Sequence, residues 1–175
     1  MSSYLAGDLR AIKDQLMVKF LTDPIFQLND ADYEAVAQAR QMIIEVYEYK
    51  ACHTASCGLF ASGKYKCGTH IYCRRMHEFS VCAEHRIFER TNWTQRRKSP
   101  DMIETLATFH GAHDSSGNRI GDPYLVSPCE KCLRLLRQLC PDCLVVVDLD
   151  GANRLAKIPL DAVDFFRHPS NHNNE

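Results

Sequence analysis

The chain has 175 residues, of which 45% are hydrophobic and 25% charged, with nine cysteines and a formal net charge of −1. This composition is typical of one globular domain that can bury a core without disulfides. The near-zero net charge excludes a broad basic surface for holding a nucleic-acid backbone. Residues 1–20 carry scattered charges and no long apolar run, so they predict neither a signal peptide nor a membrane span. We therefore expect a cytoplasmic protein whose cysteines are thiols or metal ligands.

Two helices are predicted in residues 1–50, which we expect to pack on the remaining core without carrying chemistry. The first spans Tyr4 to Leu21 and ends at Asp23-Pro24, with an apolar stripe of Leu5, Leu9, Ile12, Leu16 and Phe20. The second follows Asn29 or Asp30, either of which can cap it. Its predicted buried stripe is Tyr33, Val36, Ala37, Ile43, Ile44 and Tyr47.

Residues 51–168 predict an α/β core. The elements in chain order are a hairpin over residues 58–73, a helix at 82–90, a strand at 102–109, a polar loop at 111–123, a helix opening at Pro128, an apolar strand at 144–147, a weaker strand at 154–158 and a short helix at 160–166. The continuous apolarity of residues 144–147 indicates a strand covered on both faces. This order predicts a mixed sheet between helices, followed by a flexible tail at 169–175.

Two short motifs supply the residues of one metal site: Val81-Cys82-Ala83-Glu84-His85 and Ser127-Pro128-Cys129-Glu130-Lys131-Cys132. Three thiolates can hold a zinc ion and leave its fourth position open for water, whose proton a nearby carboxylate can move. Each cysteine lies near the start of a predicted helix, where free amides and the helix dipole favour the thiolate. We predict Cys82, Cys129 and Cys132 as zinc ligands and Glu84 as the catalytic acid–base.

A structural zinc site is an alternative. Cys140 and Cys143 repeat the spacing of Cys129 and Cys132, so these four residues form two Cys-x-x-Cys pairs. The predicted helix between the pairs would separate them by roughly 10 Å, which is too far for one tetrahedral ion. Cys140 and Cys143 are then expected to be half-buried thiols.

Other uses of the cysteines also remain open. A redox Cys-x-x-Cys pair would leave Cys82 and Glu84 without a role. A second metal site that includes His70 is possible in principle, but its spacings match no motif. The four cysteines in or near the hairpin are expected to be core or edge thiols: Cys52, Cys57, Cys67 and Cys73.

The two motifs resemble the signature of the cytidine deaminase family, which has Cys/His-Ala-Glu followed by Pro-Cys-x-x-Cys. The order of elements over residues 52–166 is also similar to the fold of that family. The resemblance implies a three-layer fold with a mixed five-stranded sheet, and a zinc cofactor. It further implies hydrolytic release of ammonia from an amino-substituted nitrogen heterocycle, such as a cytosine-type nucleoside or analogue. A homo-oligomer, either a dimer or a tetramer, with no nucleic-acid or membrane partner is implied as well.

The chain departs from the family where substrate is held. Cytidine deaminases carry Asn-x-Glu after the hairpin glycine, whereas His70 and Tyr72 are the nearest positions here. Blasticidin S deaminases, a branch acting on an antibiotic nucleoside, also have tyrosine in place of that glutamate. The family often has arginine after the catalytic glutamate, where it donates to the zinc thiolates, and His85 takes that position here. The predicted substrate contacts are His70, Tyr72, Ala83, Ser127 and Pro128, and the loop residues His110, His113 and Asp114 are further candidates.

Two other functions remain open. A polynucleotide deaminase needs a charged groove that follows the strand, and the neutral net charge argues against one. A zinc-stabilised binding module without turnover would keep the three cysteines but would have no use for Glu84 as a proton carrier.

Overall fold

The computed structural model describes residues 2–46, 53–71, 80–89, 101–112, 116, 118 and 120–166. The helices are α1 (Ser2–Thr22), α2 (Asp30–Val46), α3 (Ala83–Glu89) and α4 (Glu130–Leu139), with short 3-10 helices at Pro24–Phe26 and Leu160–Phe166. The strands are β1 (Thr54–Phe60), β2 (Tyr65–Thr69), β3 (Ile103–His110), β4 (Tyr124–Leu125), β5 (Leu144–Asp148) and β6 (Leu155–Pro159).

One mixed sheet has the strand order β2-β1-β3-β5-β6, and β4 pairs with β3 beside this path. The β3–β5 pair is parallel and the other pairs are antiparallel. This confirms the predicted α/β fold class with its five-stranded mixed sheet. The extra strand β4 was not predicted, because two residues are too few to show an alternating pattern.

Helices cover both faces of the sheet. Val145 and Val147 of β5 belong to a core cluster with residues of α1, α3, α4 and the last 3-10 helix, whereas Val146 packs in a second cluster with Ala39 and Ile43 of α2. Successive side chains of a strand point to opposite faces, so a strand buried on both faces needs unbroken apolar sequence. The prediction for residues 144–147 is confirmed. In the described part of the chain, no helix has both the length and the apolarity needed to cross a bilayer.

The predicted apolar stripe of α1 is wrong over the first half of the helix. Phe20 is buried and Leu16 packs against the core, but the side chains of Leu9 and Ile12 are 56% and 43% exposed. Helical spacing shows which residues share a face, but it does not show how far along the helix a partner extends.

The buried face of α2 is also shifted from the predicted one. Tyr33 and Ala37 are exposed, whereas Ile43 is buried and Val36 and Ile44 pack against the core as predicted. The inward positions that were not predicted are Asp32, Ala35 and Ala39. Alanines alternate through this helix, so its sequence fits more than one phase of burial. The buried carboxylate of Asp32 decides which face of α2 points inward, although hydropathy predicts that such a residue is exposed. Four predicted features lie outside the described residues: Tyr47, the thiols of Cys52 and Cys73, and the tail at 169–175. The predicted division of the chain at residue 50 stays a prediction.

Asp32 anchors α2 to the sheet although it is only 1% exposed. Its carboxylate accepts hydrogen bonds from Thr105 of β3 at 2.7 Å and from the Lys157 ammonium of β6 at 2.6 Å. It also accepts from the backbone amide of Asn29 at 3.0 Å, while the Asn29 side chain accepts from the Asp32 amide at 2.9 Å. This reciprocal pair caps the helix, so one side chain fixes both the start of α2 and its position on two strands.

The hairpin contains a disulfide that was not predicted. Cys57 of β1 and Cys67 of β2 are direct neighbours in the antiparallel register, and their sulfurs are bonded. The prediction of two separate thiols is therefore wrong. The prediction missed the pair because it treated the cysteines individually, whereas hairpin register brings residues ten positions apart face to face.

Gly68 of β2 lies against the start of α3. A Cβ at this position would contact the Ala83 carbonyl oxygen and lie 2.7 Å from the Cβ of Arg86. Neither atom belongs to a flexible side-chain end, so the helix could not stay where it is. The absence of a side chain at Gly68 therefore lets α3 pack closely on the hairpin.

Replacing Gly68 by alanine should displace α3 and destabilise the fold by about 1–3 kcal/mol, as other overpacked sites do. Urea unfolding monitored by circular dichroism measures this. Gly58→Ala is the matched control, because its Cβ would meet its nearest atom, in Ile103, at 3.4 Å. That variant should stay within about 1 kcal/mol of the wild type. Equal stability of the two variants would contradict the close approach of α3.

Removing the Asp32 carboxylate should leave the Lys157 ammonium without a counter-ion in the interior. We expect Asp32→Ala to lower the free energy of unfolding by about 3–5 kcal/mol, because the Lys157 ammonium loses its counter-ion. The double variant Asp32→Ala/Lys157→Met should recover part of that loss, since no isolated charge remains. Urea unfolding of the three proteins tests this, and a double variant less stable than Asp32→Ala would refute the interpretation.

Candidate metal and active site

The starts of two helices meet at one end of the sheet, where β2 and β3 finish. Cys82 directly precedes α3, and the bridge between Ile71 and Val81, with hydrogen bonds of 3.0 Å in both directions, places it. Cys129 is the N-cap of α4. The pairing of β4 with β3, extended by the hydrogen bond from the Val126 amide to Thr108, brings the second motif to the same end. Backbone pairing in the sheet therefore positions both motifs.

The three cysteine sulfurs form one cluster. The Cys82 and Cys129 sulfurs are 3.7 Å apart, and the Cys132 thiol interacts electrostatically with both of them while donating a hydrogen bond to Glu84. Cys132 is buried, Cys82 is half-buried and Cys129 is exposed. The predicted position of Pro128 as the first helical residue is wrong, because α4 begins at Glu130 and Cys129 takes the capping position.

The cluster holds its negative charge on one sulfur. Hydrogen bonds from the Cys132 and Cys82 thiols, and then from the backbone amides of Cys132 and Lys131, hold the pKa of Cys129 far below its usual value. The same hydrogen bonds to Cys129 raise the pKa of Cys82 and of Cys132. The contacts among the three side chains thus favour ionisation of Cys129 over that of Cys82 and Cys132.

The sulfur positions fit a zinc ion. With sulfur at about 2.3 Å from zinc in a tetrahedral site, two sulfur ligands lie about 3.8 Å apart, and the observed separation of Cys82 and Cys129 is 3.7 Å. Thiolates are also a preferred donor type for zinc. The donor set and its spacing therefore suit this metal.

Glu84 lies beside the sulfur cluster in the first turn of α3. Its side chain is 4% exposed, and its carboxylate accepts a hydrogen bond of 3.5 Å from the Cys132 thiol. Burial raises the pKa of Glu84 to about 7, the charge at Cys129 adds to this shift, and hydrogen bonds from its own amide and from Cys132 oppose it. A carboxyl group with a pKa near neutrality can both accept and donate a proton.

His85, which the motif prediction did not include, joins Cys82 and Cys132 in a group of donors that could hold a metal ion, and the predicted ligand Cys129 is not part of that group. One ring nitrogen of His85 and the sulfurs of Cys82 and Cys132 all lie within 4.8 Å of one another. The signal was present in the sequence, because Cys82-x-x-His85 has the same spacing as Cys129-x-x-Cys132.

The predicted substrate residues lie at different distances from this cluster. Ala83 is buried under Gly68, and Pro128 is buried while Ser127 is half-buried. His70 follows β2 and is half-buried. Burial, and then the charge of His53, lowers the pKa of His70, while the charge of Cys129 opposes the shift. Tyr72, His113 and Asp114 lie outside the described residues.

The candidate loop residue His110 lies beside His53, which the sequence analysis did not identify. His53 and His110 have ring centroids 6.4 Å apart, and Tyr124 packs edge-on against His110 at 5.5 Å. A cavity of about 330 Å³ opens on the other side of β4, lined by Ser127 with Tyr124, Asp148, Asn153 and Phe166 among others. None of the three cysteine ligands lines this cavity, so we assign it no part in the chemistry.

The four-cysteine alternative does not fit the structure. Cys140 caps the far end of α4, and Cys143 precedes β5. Both are 1% exposed and belong to the core cluster rather than to the sulfur cluster. They are fully buried rather than half-buried, because the end of α4 and the start of β5 pack into the apolar core cluster.

Comparison with known proteins identifies related chains, although no family model matches this one. A blasticidin-S deaminase from Bacillus cereus is 29% identical over 128 residues, which cover 72% of this chain and 85% of that protein. The crystal structure of the cytidine deaminase from Bacillus anthracis superposes with a TM-score of 0.60 at 12% identity, covering 80% of this chain and 90% of that one. The cytidine deaminase from Burkholderia pseudomallei gives a TM-score of 0.51 at 15% identity, covering 78% and 96%.

The solved structures share the fold of this chain, and the sequence relative extends across most of both chains. The two cysteine motifs lie where that fold brings two helix starts together. On these grounds the chain has the fold of the cytidine deaminases and is similar in sequence, over most of its length, to a blasticidin-S deaminase.

Proposed function

We propose that this protein is a zinc-dependent hydrolase that releases ammonia from a cytosine-type nucleoside or nucleoside analogue. The observation that carries the proposal is the contact of a buried carboxylate, Glu84, with a cluster of three cysteine sulfurs. A structural zinc site needs the sulfurs alone, whereas hydrolysis also needs a group that moves protons.

Cys82, Cys129 and Cys132 are the proposed ligands. A zinc ion bound by them would supply the Lewis acidity that makes water a nucleophile near neutral pH. The exposed position of Cys129 and the burial of Cys132 place the cluster at the boundary between solvent and core, where a small molecule can reach it.

Glu84 is the proposed proton carrier. Its carboxylate takes a proton from the attacking water, delivers it to the ring nitrogen next to the reacting carbon, and later supplies a proton to the departing amine. One water is consumed, and ammonia and a ring carbonyl are formed. Because Glu84 is buried and its pKa is raised to about 7, both its charged and its neutral form are accessible during the cycle.

The proposed substrate is a nucleoside analogue rather than ordinary cytidine. The Bacillus cereus relative is a blasticidin-S deaminase, and His70 with Tyr72 replaces the Asn-x-Glu of cytidine deaminases. Losing a buried acceptor that pairs with a substrate hydroxyl alters specificity strongly. We propose His70, Tyr72, Ala83, Ser127 and Pro128 as substrate contacts, with His70 supported by the effect of the Cys129 charge on its pKa.

We further propose a cytoplasmic homo-oligomer, either a dimer or a tetramer. Apolar side chains remain exposed on α1, at Leu9, Ile12 and Val18, which supports an additional contact surface. Five of the seven described cysteines are free thiols, which supports a reducing compartment, whereas the Cys57–Cys67 disulfide weighs against one.

A zinc-stabilised binding module is the second candidate. The presence of His85 in the ligand group favours it, because four protein ligands close a zinc site to water. A polynucleotide substrate is disfavoured by the net charge of −1.

Replacing Glu84 by glutamine should lower ammonia release by about 10²–10⁴-fold, because the amide cannot carry the proton. The assay uses purified protein with one equivalent of zinc and offers cytidine, deoxycytidine, cytosine, blasticidin S, adenosine and guanine. Zinc content should stay at the wild-type level. Glu104→Gln, which changes an exposed carboxylate on β3, should keep wild-type activity. Equal activity of wild type and Glu84→Gln would remove the proposed mechanism.

Replacing Cys132 by serine should greatly reduce bound zinc, because a thiolate ligand is lost. Cys143→Ser is the matched control, since both residues are fully buried cysteines but Cys143 lies in the core away from the cluster. Elemental analysis after dialysis should give about one zinc per chain for wild type and Cys143→Ser. Full zinc in Cys132→Ser, or loss of zinc in Cys143→Ser alone, would contradict the ligand assignment.

A further inference from the structure

The two helix starts carry equivalent pairs of donor residues. Cys82 precedes α3 and His85 is the third residue of that helix, just as Cys129 caps α4 and Cys132 is its third residue. Residues at these two positions of a helix start lie on one side of the first turn, so each pair can reach a single point. The structure therefore offers four donors in two matching pairs rather than three.

Distances support a four-donor arrangement. The Cys82 and Cys132 sulfurs and a His85 ring nitrogen are mutually within 4.8 Å, and Cys129 adds a sulfur 3.7 Å from Cys82. Tetrahedral zinc places a sulfur and a nitrogen ligand about 3.6 Å apart and two sulfurs about 3.8 Å apart. Shortening the separations of His85 from Cys82 and Cys132 by about 1 Å would bring these three donors to tetrahedral distances. Cys129 lies outside that group of three, so its side chain would also have to rotate to complete a set of four.

Charge also favours the imidazole as the fourth donor. Three thiolates around a divalent ion already carry one excess negative charge, and Glu84 lies 3.5 Å from Cys132. A carboxylate or another thiolate would increase the repulsion, whereas a neutral imidazole binds without adding charge. His85 is half-buried, so its ring is held close to the cluster instead of extending into solvent.

We infer that His85 is a fourth zinc ligand, which closes the resting site as a Cys₃His set. The inference rests on the proposed zinc site and adds a condition to the proposed function. Water and substrate can reach the ion only after the imidazole has rotated away, because a four-coordinate zinc site has no open position. His85 would then control access to the site as well as affinity for the metal.

Zinc-edge X-ray absorption of the full-length protein tests the ligand directly, since an imidazole ring gives outer-shell scattering that sulfur and water do not. Wild type with one equivalent of zinc should show one imidazole and three sulfurs. The imidazole signal should be lost in His85→Phe and in His85→Ala, which adds no volume to the site. The matched control His110→Phe should keep it. Absence of the signal in wild type, or its persistence in the His85 variants, would overturn the inference.

Zinc affinity gives an independent measurement. Competition with a chromophoric chelator should show binding at least about tenfold weaker in both His85 variants, compared with wild type and His110→Phe, by analogy with the loss of supporting groups at other zinc sites. Equal affinity in all four proteins would overturn the inference.

Ammonia release from the same samples separates this inference from the proposed function. A His85-dependent imidazole signal without ammonia release upholds the ligand and removes the deaminase. Glu84-dependent ammonia release from a wild-type site with three sulfurs and no imidazole overturns the ligand and keeps the deaminase.

Discussion

The site depends on the meeting of two helix N-termini at one end of the sheet. Each start presents a cysteine at the cap and a second donor in the first turn, and the closest sulfurs are 3.7 Å apart. Thiols packed this closely cannot all ionise without a cation, since like charges at that separation repel strongly. A divalent ion would offset this repulsion, so the arrangement of the two helix starts favours binding of a metal ion.

Rigid contacts keep the helix starts in place. The Ile71–Val81 bridge positions Cys82, and the pairing of β4 with β3 positions Cys129. Gly68 lets α3 lie against the hairpin without an intervening side chain. Below them, Ile87 and Leu133 bury the two helices in one apolar cluster. On the opposite face, the Asp32 network fixes α2 to β3 and β6. Helices packed on both faces of the sheet thus hold the site residues in place.

Glu84 and His85 have opposite effects on access of water to the sulfur cluster. A buried carboxyl with a pKa near 7 is suited to proton transfer to and from water, whereas an imidazole beside the sulfurs can exclude that water. The two residues are adjacent in α3 and point towards one cluster. If His85 binds the metal as we infer, rotation of its side chain would decide between an open and a closed site, and hence between the hydrolytic proposal and the binding-module alternative.

The sequence by itself determined the order of elements, the fold class and the identity of the motif residues. Periodicity in α4 and the unbroken apolar run of β5 are local properties, and so is the Cys-x-x-Cys spacing, which explains why they could be predicted. The tertiary structure decided what depends on distant residues meeting. It buried Asp32 through partners 73 and 125 positions away, paired Cys57 with Cys67, and left Leu9 exposed. It also added His85 to the sulfur group, because helix orientation and not spacing alone decides which donors converge on one point.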